Sequence, residues 1–212
     1  MTAPDLVNDL ADQAYYRLLP RLDGRVVVGV SNRHVHLSHE DLGILFGLNE
    51  FEVYRKVRQP GEFAATQTVT VTGPKTSFEK VRCMGPCRKA TQAELSLTDC
   101  RLLGITAPIT QSGHLDEAVW LDITGPRGTI RRPAGMVAAR HIHMGDADAR
   151  ALGLKDQDLV SVAFPGVRAA TVDNFIIRCK PEWVPEIHLD TDEANAFGVT
   201  SGDVGWIQRR RP

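Results

Sequence analysis

Two words of the sequence, RHVHL at 33–37 and RHIHM at 140–144, set His-x-His after an arginine and between apolar neighbours. Together they hold four of the chain's seven histidines. Alternate residues of an extended strand project from one face, about 6.5 Å apart. His34 with His36, and His141 with His143, can therefore turn two imidazoles toward one ion at bonds of roughly 2.0 Å. His188, in EIHLD, lies at the end of a third similar stretch and can complete the second pair. The alternative is structural, with imidazoles bonding loop backbone and copied along with the segment that carries them. Two copies in one repeated context weigh toward metal.

A zinc site needs a third protein donor, and a position left open makes it catalytic. For the first pair the best candidate is a carboxylate, and MGPCRKATQAELS supplies Glu94. Spacing alone reads Glu94 as an exposed strand glutamate paired with Lys89 or Arg88. Gln92, two residues earlier, shares its face if the stretch is a strand, and can support it. His39 opens a helix and His114 sits in a loop, so both read as surface residues. Cys83, Cys87, Cys100 and Cys179 form no ligand framework and read as reduced, partly buried thiols.

The elements that must position these groups are mostly short strands. RVVVGVS, FAATQTVTVTG, VRCMG, AVWLDITG, LVSVAF, RAATVDNFIIRC, EIHLD and VGWIQ are β-branched and bounded by Gly, Pro, Asp or Asn. In ATQTVTVTG, Thr66, Thr68, Thr70 and Thr72 face one way, and Ala65, Gln67, Val69 and Val71 the other. Such a density of strands favours barrels over a wound α/β sheet. The helices are short and fall in equivalent places, after RHVHL, RHIHM and EIHLD. Ser38 and Thr191 are expected N-caps, and Gly47, Gly153 and Gly198 expected stops. This reads as internal duplication, giving two similar small β-barrel domains capped by short helices, mainly β with some helix. Residues 5–19, between Pro4 and Pro20, repeat apolar residues at Leu6, Leu10, Ala14 and Leu18, the pattern of an amphipathic helix.

With 212 residues, 42% of them apolar, the chain can bury a proper core. A net charge of -1 gives no reason to expect nucleic acid or a membrane surface as partner. The terminal QRRRP is expected to be a solvated basic tail. No apolar run reaches membrane-spanning length and no signal peptide opens the chain, so an intracellular soluble protein is expected.

Taken together, VGVSNRHVHLSHEDLGILFG, GPCRKATQAELS, AARHIHM and IHLDTDEANAFGV resemble the PduL-type phosphate acyltransferases (phosphate propanoyltransferases). KVRQPGEFAATQTVTV and the QSG at 111–113 add to the match, which runs from about residue 25 onward. The resemblance implies a dizinc enzyme that reversibly converts acyl-CoA, propanoyl-CoA or a similar short chain, plus phosphate into acyl-phosphate plus CoA. It implies two β-barrel domains, one inserted in the other, with the site between them. On that plan residues 1–22 form an N-terminal amphipathic helix, 23–33 with 139–212 the first barrel, and 34–138 the inserted barrel.

Carried over residue by residue, the resemblance assigns one Zn2+ to His34, His36 and Glu94, with a position open for the CoA sulfur. It assigns another to His141, His143 and His188, completed by water or phosphate. Arg88 matches the catalytic arginine that grips phosphate. Lys56, Gln59, Pro60 and Gly61 match a segment near the nucleotide, Arg178 a basic position near its phosphates, and Ser112 a donor to phosphate oxygen. The implied partners are coenzyme A or acyl-CoA and phosphate, in a cytoplasmic homodimer. Family members in bacterial microcompartments, tied to propanediol degradation, carry an N-terminal targeting helix. Residues 5–19 fit that description, and fit equally a helix packed on its own domain or a dimer mate.

The chemistry suits these parts, because phosphate is already a nucleophile and needs no Ser-His-Asp triad. Arginine offers it a bidentate fork, and zinc is a good partner for a departing thiolate. Direct transfer without an acyl-enzyme is expected. Two other readings remain: a dizinc thioester or phosphoester hydrolase, and a non-catalytic module in which zinc clamps two barrels.

Overall fold

The computed structural model describes residues 3–208, and the short strands of the sequence form in it as units of two kinds. The chain opens with helix α1 (Ala3–Asp23) and strand β1 (Arg25–Ser31). Then come β2 (His34–Ser38), α2 (His39–Phe46), β3 (Val53–Lys56), β4 (Phe63–Thr72), β5 (Ser77–Arg88), β6 (Gln92–Leu95) and α3 (Leu97–Leu103). These are followed by β7 (Ile109–Thr110), β8 (Val119–Gly125) and β9 (Gly128–Ala138). The rest holds β10 (His141–Met144), α4 (Asp146–Ala151), β11 (Leu159–Phe164), β12 (Ala170–Cys179), β13 (Glu186–Asp190), α5 (Thr191–Phe197) and β14 (Val204–Gln208). Asn32–Ala139 forms one compact unit, and the segments on either side of it form the other.

In the flanking unit six strands close a barrel in the order β1-β13-β10-β12-β11-β14. In the central unit the pairings run β9-β6-β2-β5-β4-β8 and return to β9, with β3 added to β4 and β7 to β9. The two rings match strand for strand in direction. β1 and β13 are parallel as β9 and β6 are; β13 and β10 antiparallel as β6 and β2; β10 and β12 parallel as β2 and β5. The remaining three steps are antiparallel in both. β1 thus lies in the ring of the late strands, while its counterpart β9 lies in the ring that contains β2.

This pairing refines the repeat read from the sequence. β2–α2 matches β10–α4, but the true counterpart of EIHLD and its helix is β6–α3, not an RH-x-H stretch. Helices α3 and α5 both open on a capping box, Ser96 with Asp99 and Asp190 with Glu193. The α5 N-cap is therefore Asp190 rather than Thr191, because the Asp190 carboxylate accepts from Glu193 N at 2.8 Å. Ser38 caps α2 as expected, and Gly47 and Gly198 end α2 and α5 in the left-handed conformation.

Alternation sets which face is which. Val35 and Leu37 of β2, and Ala93 and Leu95 of β6, enter one core; Ile142 and Met144 of β10, and Ile187 and Leu189 of β13, enter the other. A slip of one residue in β2 would expel both Val35 and Leu37, at about 1.5–3 kcal/mol each. The histidines, one residue out of phase, are thereby fixed on the opposite face of each strand.

Helix α1 does not stop at Pro20 but runs to Asp23. Gly24 N closes the last turn on Pro20 O at 2.8 Å. Arg17 and Arg21 reach the buried carboxylate of Asp148 on α4, at 2.8 and 2.6 Å. Leu19 and Pro20 are buried, whereas Val7, Leu10, Tyr15, Leu18 and Leu22 are exposed. No helix among the described residues is long and apolar enough to cross a membrane. The basic tail Arg209–Pro212 lies outside the described residues.

Candidate metal centres

On the antiparallel pair β2–β6, His34 stands opposite Glu94 and His36 opposite Gln92. All four side chains share the face away from the core, at the corners of a two-by-two block. His34 Nε2 lies 3.5 Å from Glu94 Oε2, and His36 Nε2 lies 3.7 Å from Glu94 Oε1. Donors of one tetrahedral zinc stand about 3.3 Å apart, so the three groups need little adjustment to share an ion. His34 donates its Nδ1–H to the Asn32 carbonyl at 2.9 Å, which leaves Nε2 as its ligating nitrogen.

The Glu94 carboxylate is held from behind. Its Oε1 accepts from Gln92 Nε2 at 2.6 Å and from Ser112 Oγ at 2.9 Å. Ser112 Oγ in turn accepts from Arg88 Nη1 and from Gln92 Nε2, each at 2.6 Å. One hydroxyl proton given and two lone pairs used exhaust what Ser112 can do. Gln92 Oε1 takes the Gly113 N–H at 3.0 Å. Arg88, a third exposed, lies 3.8 Å from Glu94 Oε1 and is tied to it through Ser112.

Burial alone would raise the Glu94 carboxyl. The neighbouring His34, His36 and Arg88, with the Ser112 hydrogen bond, outweigh it and hold the group well below the usual carboxylate range. Burial, then His34 and Arg88, keeps His36 neutral, so Arg88 is the permanent charge beside Glu94. A neutral imidazole beside an ionised carboxylate is the protonation state that metal binding requires.

The second block is built on β10–β13, with His141 opposite His188 and His143 opposite Glu186. The three imidazole centroids lie 4.3 to 4.8 Å apart. Each cluster, His141–His143–His188 and His34–His36–Glu94, presents one donor atom per residue, all within 4.8 Å of one another. Burial, then His188 and His141, holds His143 neutral, with Arg178 and Lys180 acting the same way. Trp183 stacks on the His143 ring at 3.7 Å between centroids. Lys180 and Arg178 lie 4.4 and 5.6 Å from the Trp183 ring.

The fit to a metal rests on the two convergent donor sets, and unsatisfied nitrogens accompany them. His36 Nδ1, His143 Nδ1 and His188 Nε2 are buried without a hydrogen-bond partner. A buried polar atom left so costs about 1–3 kcal/mol, and all three belong to imidazoles of the two clusters.

Arg88 and Ser112 thus gather at the first cluster, and Arg178 lies on β12 opposite His143. Lys56 ends β3, and Gln59, Pro60 and Gly61 lie in the turn between β3 and β4, outside both clusters. Gly61 has a positive φ, Gln59 is buried and Lys56 is exposed. His39 and His114 are exposed, as expected. Glu186, Trp183 and Lys180 escaped the sequence reading. The one signal for Glu186 was its place two residues before His188, as Gln92 precedes Glu94. All four cysteines are free and none belongs to a cluster; burial pushes the Cys83 thiol up to about 12 and Cys179 up to about 11.

Comparison with known proteins gives a match to the family model described as phosphate propanoyltransferase over residues 27–200. The chain is 46% identical to the phosphate propanoyltransferase of Thermotoga maritima over 91% of its own length and 92% of the relative's. It is 43% identical to that of Salmonella typhimurium over 91% and 90%. Against that of Clostridioides difficile the figures are 38%, 97% and 99%.

Proposed function

The chain belongs to the phosphate propanoyltransferase family and is an acyltransferase, and on that premise we propose that it works with one zinc in each barrel. The reaction is acyl-CoA, with a short acyl chain such as propanoyl, plus phosphate giving acyl-phosphate plus CoA. The observation that carries this reading is the tie from Arg88 through Ser112 to Glu94. It sets a guanidinium suited to phosphate beside a three-donor metal cluster. His34, His36 and Glu94 would hold one ion, and His141, His143 and His188 the other. Zinc bound there supplies a Lewis acid for the departing thiolate and for phosphate oxygen.

The chain's own residues orient the reactants. Arg88 keeps Nη1 on Ser112, so Nε and Nη2 are the fork left for two phosphate oxygens. Arg178 and Lys180 put positive charge beside the second cluster, which suits an anionic substrate. Lys56, Gln59, Pro60 and Gly61 are the proposed CoA contacts. Ser112, fully used in holding Glu94, reaches a phosphate oxygen only if Arg88 or Gln92 gives way. The exposed stripe of α1 supports a further contact, with a second copy in a homodimer or with a microcompartment shell.

The test is thiol release from propanoyl-CoA, with and without phosphate, before and after chelation. Release that requires both phosphate and metal is expected. Release without phosphate would make the protein a hydrolase, and no release with metal firmly bound would leave a zinc-clamped module.

A further inference from the structure

We infer that Glu186 is a positioning residue of the second centre, holding His188 as Gln92 holds Glu94. The inference rests on the reading of the histidine cluster as a metal site. It starts from the equivalence of the two two-by-two blocks. His34 and His36 correspond to His141 and His143, Glu94 to His188, and Gln92 to Glu186. The fourth corner is thus a glutamine where the third donor is a carboxylate, and a carboxylate where the third donor is an imidazole.

That exchange is chemically complementary. Glu94 accepts only, and its neighbour Gln92 supplies an N–H at 2.6 Å. A neutral imidazole carries one N–H, and its neighbour supplies an acceptor: Glu186 Oε2 lies 3.2 Å from His188 Nε2. The contact falls outside hydrogen-bond geometry, and His188 Nε2 is without such a partner. A small rotation of the ring would supply it. Nε2–H on the carboxylate leaves Nδ1 of His188 as the ligating nitrogen, with the ring's orientation and basicity set by the carboxylate behind it.

The barrel makes room for this carboxylate. Gly29 of β1 is the parallel neighbour of His188, and a Cβ built on it would lie 2.4 Å from Glu186 Oε1. At the matching place beside Glu94 the other barrel has Met136. The absent side chain at Gly29 is therefore filled by the buried Glu186 carboxylate.

The experiment uses the full chain, with Zn2+ as the probe. Affinity is measured by chelator competition, and the His188 ring tautomer of the metal-free protein by 15N NMR. Glu186→Ala is expected to weaken the second zinc about 10–100-fold, with the first unchanged, and to abolish a preference for the Nε2–H tautomer. Gly29→Ala, which displaces the carboxylate without removing it, is expected to do the same in smaller measure. Glu186→Gln, which keeps an acceptor oxygen, should recover part of the loss. An unchanged tautomer together with zinc affinity within about twofold in Glu186→Ala and Gly29→Ala would overturn the assignment. If the unmodified chain binds no second zinc, the metal reading fails, and the tautomer alone decides the role of Glu186.

Discussion

Arg33 is ion-paired to Asp99, with Nη2 2.6 Å from Oδ1, and Arg140 is paired in the same way to Glu193 at 2.7 Å. Each arginine immediately precedes a His-x-His, and each acid closes the capping box of the helix that follows the third donor. The arginine of RH-x-H thus ties the strand bearing two donors to the helix beyond the third. Removing it leaves a buried carboxylate with half its partners. Arg33→Met is expected to lower unfolding free energy by about 2 kcal/mol, read by urea denaturation of the metal-free protein, and to speed zinc loss to a chelator.

His36→Ala should remove one zinc per chain and leave the other, because the two donor sets lie on different strand pairs. Elemental analysis after dialysis counts the ions directly. Transfer activity should fall at least about 100-fold, the loss expected when a metal ligand rather than an orienting group is taken away.

Arg88→Ala should raise the KM for phosphate about 30–100-fold, the equivalent of one charged hydrogen-bonded pair. Arg88→Lys should recover little, because a single ammonium cannot span two phosphate oxygens while also holding Ser112. Initial rates over a phosphate series check this.

Ser112→Ala distinguishes two roles for the same hydroxyl. Its proton lies on Glu94 Oε1, so its loss should weaken zinc at the first centre about tenfold. A donor to phosphate alone would raise the KM for phosphate and leave zinc affinity untouched. Chelator titration of the variant separates the two.

His36 and His143 are held below the ordinary histidine value of 6.5 by burial. Their unfolded forms bind protons more readily than their folded ones, so stability is full above that value and falls as pH drops below it. Each contributes at most about 1.4 kcal/mol per pH unit. Urea midpoints of the metal-free protein between pH 7 and 5 should fall, and His143→Asn should flatten the slope.

Burial raises the thiols of Cys83 and Cys179, which makes them poor nucleophiles and suits direct transfer over an acyl-cysteine. Intact-mass measurement after mixing with propanoyl-CoA alone should show no acyl adduct, and blocking Cys87 and Cys179, the two thiols that are only partly buried, should leave phosphate-dependent release intact.

Much of this was legible because it is local. The histidine pairs, the alternation of β4 and the cap at Ser38 follow from neighbours two or three residues apart. Glu94 was not legible from spacing, because its partners His34, His36, Arg88 and Ser112 come from β2, β5 and the loop after β7, brought together only by strand pairing. The match of QAELS to EIHLD was hidden for a related reason: glutamate replaced histidine as donor, so the shared feature is register rather than letters. Pro20 misled for want of the Arg17 and Arg21 contacts to Asp148, which hold the helix beyond it. Glu186 needed the other barrel as a template.

The placing of β1 in the ring of the late strands has a consequence for biosynthesis. The central unit is one uninterrupted stretch and can close as soon as residue 139 has left the ribosome. β1, made before it, must wait for β13 and β14, its only neighbours in the ring. Until then Val26 and Val28 have no core to enter, and its edge is open to other chains. The nascent protein therefore carries a finished barrel on an unpaired apolar strand, and the arrival of β13 and β14 decides whether β1 finds its place or a neighbour's.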